Sequence, residues 1–205
     1  MTLDDVDFVL LASGLSSRYE DGDKLLAKLS GKPILEYSAR LVSQNTKSAK
    51  LAILGPDQAE RRHIADAHHW TIITNPSPQQ GQGSSLAVAC QTLSARQNLR
   101  PFIVLLADMP FIPNHHLEAL ILAFKDDVDA VFTEVEGKLM PPALFSHQLT
   151  HTFTSLTGDK GAKSALGNDL NLKKVQLDAA LAFDIDSAAD LEHAHRIVSG
   201  IKSQP

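Results

Sequence analysis

Two stretches, Asp7–Ala12 and Phe102–Ala107, are apolar almost without interruption, and small or acidic residues follow each. A strand that reads this way is buried on both faces, the hallmark of a parallel sheet covered by helices. Similar short runs, rich in β-branched residues or leucine, occur at Val6–Leu11, Lys50–Leu54, Trp70–Thr74, Phe102–Leu106 and Ala130–Glu134. Gly, Pro, Asp or Asn bounds each one, as expected of strands. Between them Ile34–Val42, Leu86–Leu93 and Leu117–Phe124 carry apolar residues three and four apart, the helical period. Strands and helices alternating at this pace predict an α/β chain with both faces of its sheet covered.

After residue 136 the alternation becomes irregular. Lys138–Phe145 reads as a strand in which Pro141-Pro142 marks a bend or an edge, since proline cannot donate to a ladder. Ala162–Leu166 reads as a short helix, and Lys173–Leu177 and Leu181–Ile185 as strands. Ser187 is placed to cap a last helix running to Val198. No repeat or low-complexity linker divides the 205 residues, so one domain with a mixed C-terminal part is expected.

Composition narrows the function. A net charge of −5 with no basic run argues against nucleic-acid binding, which rests on neutralising phosphates. No apolar stretch is long enough to span a bilayer, and Met1-Thr2-Leu3-Asp4-Asp5 is acidic where a signal peptide would be basic. A cytoplasmic protein without a membrane partner is the expectation. The single cysteine, Cys90, excludes a disulfide framework; inside the Leu86–Leu93 pattern it reads as a core thiol. The nine histidines read as surface residues: His193 and His195 are two apart, unlike an i, i+4 zinc pair.

Ligands of open parallel sheets bind beyond the carboxyl ends of strands. Three segments fall there. Leu11-Ala12-Ser13-Gly14-Leu15-Ser16-Ser17-Arg18 follows the first strand; its small residues admit an anion close to backbone N–H groups. Arg18 adds a cationic fork, and Lys24 follows within reach of the same phosphates. Asn75–Leu86 holds Gly81, Gly83, Ser84 and Ser85, and either serine could cap the next helix. Leu105-Leu106-Ala107-Asp108-Met109-Pro110 sets Asp108 beyond a buried strand, suited to a hard cation such as Mg²⁺. Asp184 or Asp186 would share that ion from Phe183-Asp184-Ile185-Asp186, where strand alternation puts both on one face; alternatively Asp186 only leads into the Ser187 cap.

These segments, in this order, resemble the nucleotidyltransferases that make molybdenum cofactor dinucleotides, most nearly the molybdenum cofactor cytidylyltransferases. The match runs through Leu11-Ala12-Ser13-Gly14-x-Ser16-x-Arg18, Lys24-Leu25-Leu26, Gly31-Lys32-Pro33, Gly81–Leu86, Leu105–Pro110, Leu156–Ala162 and Phe183–Asp186. The resemblance implies a three-layer, Rossmann-like fold with a mostly parallel, mixed sheet, of the nucleotide-diphospho-sugar transferase type, with a nucleotide-binding half over about 1–110 and an acceptor half over about 111–205 of one domain. It implies that Leu11, Ala12, Ser13, Gly14, Gly83, Ser84 and Ser85 hold CTP, that Arg18 and Lys24 bind its triphosphate, and that Asp108 and Asp184 hold Mg²⁺. Asp159, Lys160 and Asp186 would face the acceptor, the phosphate of molybdopterin, with a molybdoenzyme as candidate recipient of the product. Three departures stand out: Ser13 replaces an alanine, Tyr19-Glu20 replaces Met/Phe-Gly, and Met140-Pro141-Pro142-Ala143 replaces a Gly-rich segment. A related transferase using GTP or a sugar or alcohol phosphate remains an alternative, as does a non-enzymatic protein that binds and delivers nucleotide or cofactor.

Overall fold

The computed structural model describes residues 1–205 apart from 18, 21, 43–45, 159–160, 168 and 203–205, and apart from the side chains of 200–202. Its strands are β1 (Asp7–Leu11), β2 (Lys28–Leu29), β3 (Lys32–Pro33), β4 (Lys50–Leu54), β5 (Thr71–Thr74), β6 (Phe102–Leu106), β7 (Ala130–Val135), β8 (Lys138–Phe145) and β9 (Leu172–Gln176). Its helices are α1 (Ile34–Arg40), α2 (Ala59–Ala67), α3 (Gly81–Ser94), α4 (Asn114–Ala123), α5 (Thr150–Phe153), α6 (Ala162–Ala165) and α7 (Ala188–Lys202).

Seven strands form one sheet in the order β5-β4-β1-β6-β8-β7-β9. The pairs β5–β4, β4–β1, β1–β6 and β7–β9 are parallel; β8 runs antiparallel between β6 and β7. The alternating pattern's helix-covered sheet is present, in the mixed, mostly parallel, Rossmann-like form that the resemblance implies. Successive side chains leave opposite faces of the sheet. Phe8 and Leu10 of β1 therefore join one core with Ile103 and Leu105 of β6, covered by Leu35 of α1, Leu120 of α4 and Ala194 of α7. Val9 and Leu11 join the other, with Phe102, Val104, Cys90 of α3 and Phe153 of α5. The two-stranded β2–β3 ribbon turns through Ser30 and Gly31, both at positive φ, a turn that favours glycine.

Several expectations are corrected. Strand β8 is interior, so of the two readings of Pro141-Pro142 the edge is excluded and the bend holds. The β7 register jumps from Phe132↔Ala143 to Thr133↔Met140, so both prolines sit in a bulge that needs no ladder donor. Leu181–Ile185 is no strand: Leu181 and Ala182 turn back onto Asp178 O, and the segment continues as coil to Ser187. His116 is not at the surface. It is buried, and its Nε2 lies 2.7 Å from Thr133 Oγ1. Because Thr133 donates its proton to Pro142 O, Nε2–H of His116 must be the donor in that contact. Ser187 does cap α7: its Oγ accepts from Asp190 N while Asp190 Oδ2 accepts from Ser187 N.

Candidate active site

Among the parallel strands β1, β4, β5 and β6, chain order reverses at β1: β4 and β5 extend one way, β6 the other. The crevice at such a reversal, beyond the strand ends, is where open sheets bind ligands. Here it is a cleft of about 750 Å³ lined by Leu11–Ser17 after β1, Ala107 and Asp108 after β6, Gln82 and Ser85 of α3, and Lys24, Asp184 and Asp186. Leu11 O accepts from Ala107 N, joining the two strand-end loops.

Lys24 Nζ lies 2.6 Å from both Asp108 Oδ2 and Asp186 Oδ1, and its side chain is only 14% exposed. Burial opposes the ammonium charge, but the two carboxylates outweigh it and hold the Lys24 pKa above its ordinary value. Asp184 goes the other way. Burial, then the neighbouring charges of Asp108 and Asp186, push its carboxyl above the usual range. The coil that carries these acids is tied to the sheet by Ile185 N donating to Asp108 O at 3.0 Å.

The opposite wall is built from hydroxyls. Ser13 Oγ bonds Ser85 Oγ, and Asn75 Nδ2 reaches both Ser84 Oγ and Ser85 Oγ at 2.9 and 3.0 Å. Neither serine is a helix cap, because α3 already starts at Gly81, after Gln80. Gly83 and Ser84 stand behind the wall: Gly83 N donates to Gly158 O, and Ser84 Oγ lies 2.8 Å from Gly81 O. Arg18, Asp159 and Lys160 lie outside the described residues. Cys90, buried in α3 away from the cleft, has its thiol pushed up to about 12 by burial and is no nucleophile.

A metal can be accommodated, though not by protein alone. Asp108 Oδ1 is buried without a hydrogen-bond partner, an open acceptor on the cleft wall. Among the described residues no three His, Cys, Asp or Glu side chains converge as a ready ligand set. That fits a Mg²⁺-like cation, which takes one or two carboxylates and completes its shell with phosphates and water.

Residues 8–175 match the MobA-like NTP transferase domain family. This chain belongs to that family. Its kinship with nucleotidyltransferases thus covers both strand-end loops and the mixed half of the sheet. In sequence the chain is similar to purine catabolism protein PucB of Bacillus subtilis (strain 168), 26% identical over 191 residues, 90% of this chain and 88% of that one. Two solved structures share the fold. Rv0371c of Mycobacterium tuberculosis H37Rv, in a complex with manganese, is 17% identical with a TM-score of 0.74, over 94% of this chain and 98% of that one. Molybdopterin-guanine dinucleotide biosynthesis protein A of Archaeoglobus fulgidus is 18% identical with a TM-score of 0.70, over 95% and 100%. Among the described residues no helix is long and apolar enough to cross a membrane.

Asp23, Gln58, Arg61 and Asn75 support this site, and the sequence reading passed over all four as site residues. Arg61 Nε and Nη2 make a fork on Asp23 at 2.7 Å each, and Asp23 Oδ1 also accepts from Leu25 N. Asn75 sits inside the Pro/Gly segment already noted, so its place at a strand end was the only clue.

Proposed function

We propose that the chain transfers CMP from CTP to the phosphate of a molybdopterin-type acceptor, with release of pyrophosphate and with Mg²⁺. The observation that carries this reading is the convergence of the small-residue loop, Lys24 and the three aspartates on one cleft at the strand-order reversal. Phosphoryl-type transfer asks a protein mainly for positioning and charge neutralisation. Lys24 would supply the charge at the α-phosphate, and the loop N–H groups would orient the triphosphate. Asp108, with Asp184 or Asp186, would hold Mg²⁺, whose charge offsets that of the phosphates. The acceptor phosphate is already an anionic nucleophile, so no general base is required. Among the described residues that line the cleft there is no histidine.

One observation favours a second acceptor class on the same machinery. A smaller pocket of about 210 Å³ shares Leu11 and Gln82 with the cleft, and Phe132, Leu139, Met140, Pro141, Ala143 and Phe145 make it largely apolar. Lys163 is the one cation among its described lining residues. A pterin ring rich in donors and acceptors finds few partners on such a wall, whereas a phosphate ester with an apolar body would fit it.

Pyrophosphate release is to be measured with CTP and with GTP, with molybdenum cofactor and then other phosphate esters as acceptor. Release from CTP with the cofactor supports the reading. Release with another acceptor moves it to the second class, and release from no combination refutes nucleotidyl transfer by this chain.

A further inference from the structure

Helix α2 has the sequence Ala-Glu-Arg-Arg-His-Ile-Ala-Asp-Ala, a composition that suits solvent, yet Arg61 within it is 2% exposed. A buried guanidinium is costly unless its N–H groups find acceptors. All five do. Nε and one Nη2 proton meet the two oxygens of Asp23, and the other Nη2 proton faces Ser16 Oγ at 3.1 Å. The Nη1 protons reach the carbonyls of Ala12 at 2.6 Å and Gly14 at 2.8 Å. Just before α2, Gln58 Nε2 approaches Ser13 O at 3.1 Å and Gly14 O at 3.4 Å, while its Oε1 accepts from Gly55 N.

Three successive loop carbonyls, of Ala12, Ser13 and Gly14, are therefore turned toward Gln58 and Arg61. In a trans peptide the C=O and the following N–H point in opposite directions. The N–H groups of Ser13, Gly14 and Leu15 accordingly face away from α2, and all three residues line the cleft. Among the described residues none of these N–H groups donates to a protein acceptor. Ser16, held at a φ of 54° in the left-handed region, receives Arg61 and in turn accepts from Lys24 N. One buried fork thus sets both the loop and the start of the Lys24 segment.

We infer that Arg61 and Gln58 are positioning residues that turn the backbone N–H groups of Ser13, Gly14 and Leu15 into the cleft to receive the oxygens of a triphosphate. The inference rests on the nucleotide reading of that cleft. A lysine at 61 keeps the charge but presents one nitrogen, which cannot span Asp23 and two carbonyls as the fork does. Gln58→Ala removes two donors without altering charge.

The test uses inorganic tripolyphosphate, which any nucleoside triphosphate site shares, titrated into the full chain while the amide NMR signals of Ser13, Gly14 and Leu15 are followed. In the wild type these signals move on titration. Arg61→Lys is expected to weaken binding about tenfold, roughly the worth of one charge-assisted hydrogen bond. Gln58→Ala is expected to weaken it about threefold, at the scale of one neutral bond. Both variants should show reduced movement of the three amides. A purely structural Arg61 would lower the melting temperature but leave the affinity of the folded protein unchanged, and that result overturns the inference. So does a wild type whose three amides ignore tripolyphosphate. If Arg61→Lys does not fold, Gln58→Ala decides by the same readout. Failure of CTP to release pyrophosphate would retire the substrate reading alone, because this titration contains neither CTP nor acceptor.

Discussion

Lys24 neutralises two aspartates that arrive from distant parts of the chain, Asp108 after β6 and Asp186 before α7. Replacing Lys24 by Met removes the one described cation that touches both acids, and with it the charge proposed to act at the α-phosphate. Turnover should fall about 10²–10³-fold, the usual cost of one preorganised electrostatic contact, in a steady-state pyrophosphate assay. Asp108→Ala should abolish metal-dependent turnover. Its melting temperature should stay within a few degrees, because Lys24 keeps Asp186 as a partner; normal activity in this variant would remove Asp108 from the metal site. At this scale the sequence disclosed Lys24 and Asp108, which face the cleft, and hid Arg61, which stands behind the loop. Asp108 stands just beyond β6, where position speaks for chemistry, and Lys24 lies in a turn that reaches it. Arg61 lies in a charged helix and is buried only because α2 docks on the loop, a tertiary fact that no local pattern encodes. The spacing of Arg61 and Ala65, both buried, is the faint trace it leaves.

The bulge between β7 and β8 decides between the two readings of Pro141-Pro142, a bend and an edge. Two prolines in a strand argue for an edge by hydrogen-bond logic, but the bulge removes the need for their donors and lets β8 sit inside the sheet. The side-chain chain His116–Thr133–Pro142 O closes that bulge from within. Burial, then the nearby His115, keeps the His116 pKa below its ordinary value. A depressed histidine favours the folded state above its unfolded pKa, and the contribution is lost as pH falls through the lowered folded value. Melting temperature should accordingly drop more steeply from pH 7.5 to 5 in the wild type than in His116→Gln, which keeps a donor but cannot charge. Equal slopes would show that His116 does not titrate with unfolding. Leu181–Ile185, by contrast, was misread. Its apolar residues do enter the core, Ala182 and Ile185 among them, but no neighbouring strand offers a ladder, and alternation alone cannot supply one.

Across the whole molecule, the parallel half and the mixed half meet at a short seam. Strands β6 and β8 pair over Phe102↔Phe145, Ile103↔Leu144 and Val104↔Ala143. Phe145 anchors it, with ring centroids 5.6 Å from Phe102, 5.4 Å from Phe132 and 5.1 Å from Phe153. Phe145→Ala should cost about 3–5 kcal/mol by urea unfolding, the range for a buried phenylalanine. A loss below 1 kcal/mol would mean that the seam repacks freely. The parallel half was readable from unbroken apolar runs, and the mixed half less so, because an antiparallel insertion leaves no signature of its neighbours. The site straddles these halves, and its acids reach across on one backbone contact, Ile185 N to Asp108 O. That amide proton is in effect a clock. Its rate of exchange with deuterated solvent reports how often the acidic segment lifts from the strand end, independently of any substrate. Removing the Lys24 cation leaves like charges facing one another, so Lys24→Met should quicken exchange at Ile185 while Leu10, in the middle of β1, keeps its wild-type rate.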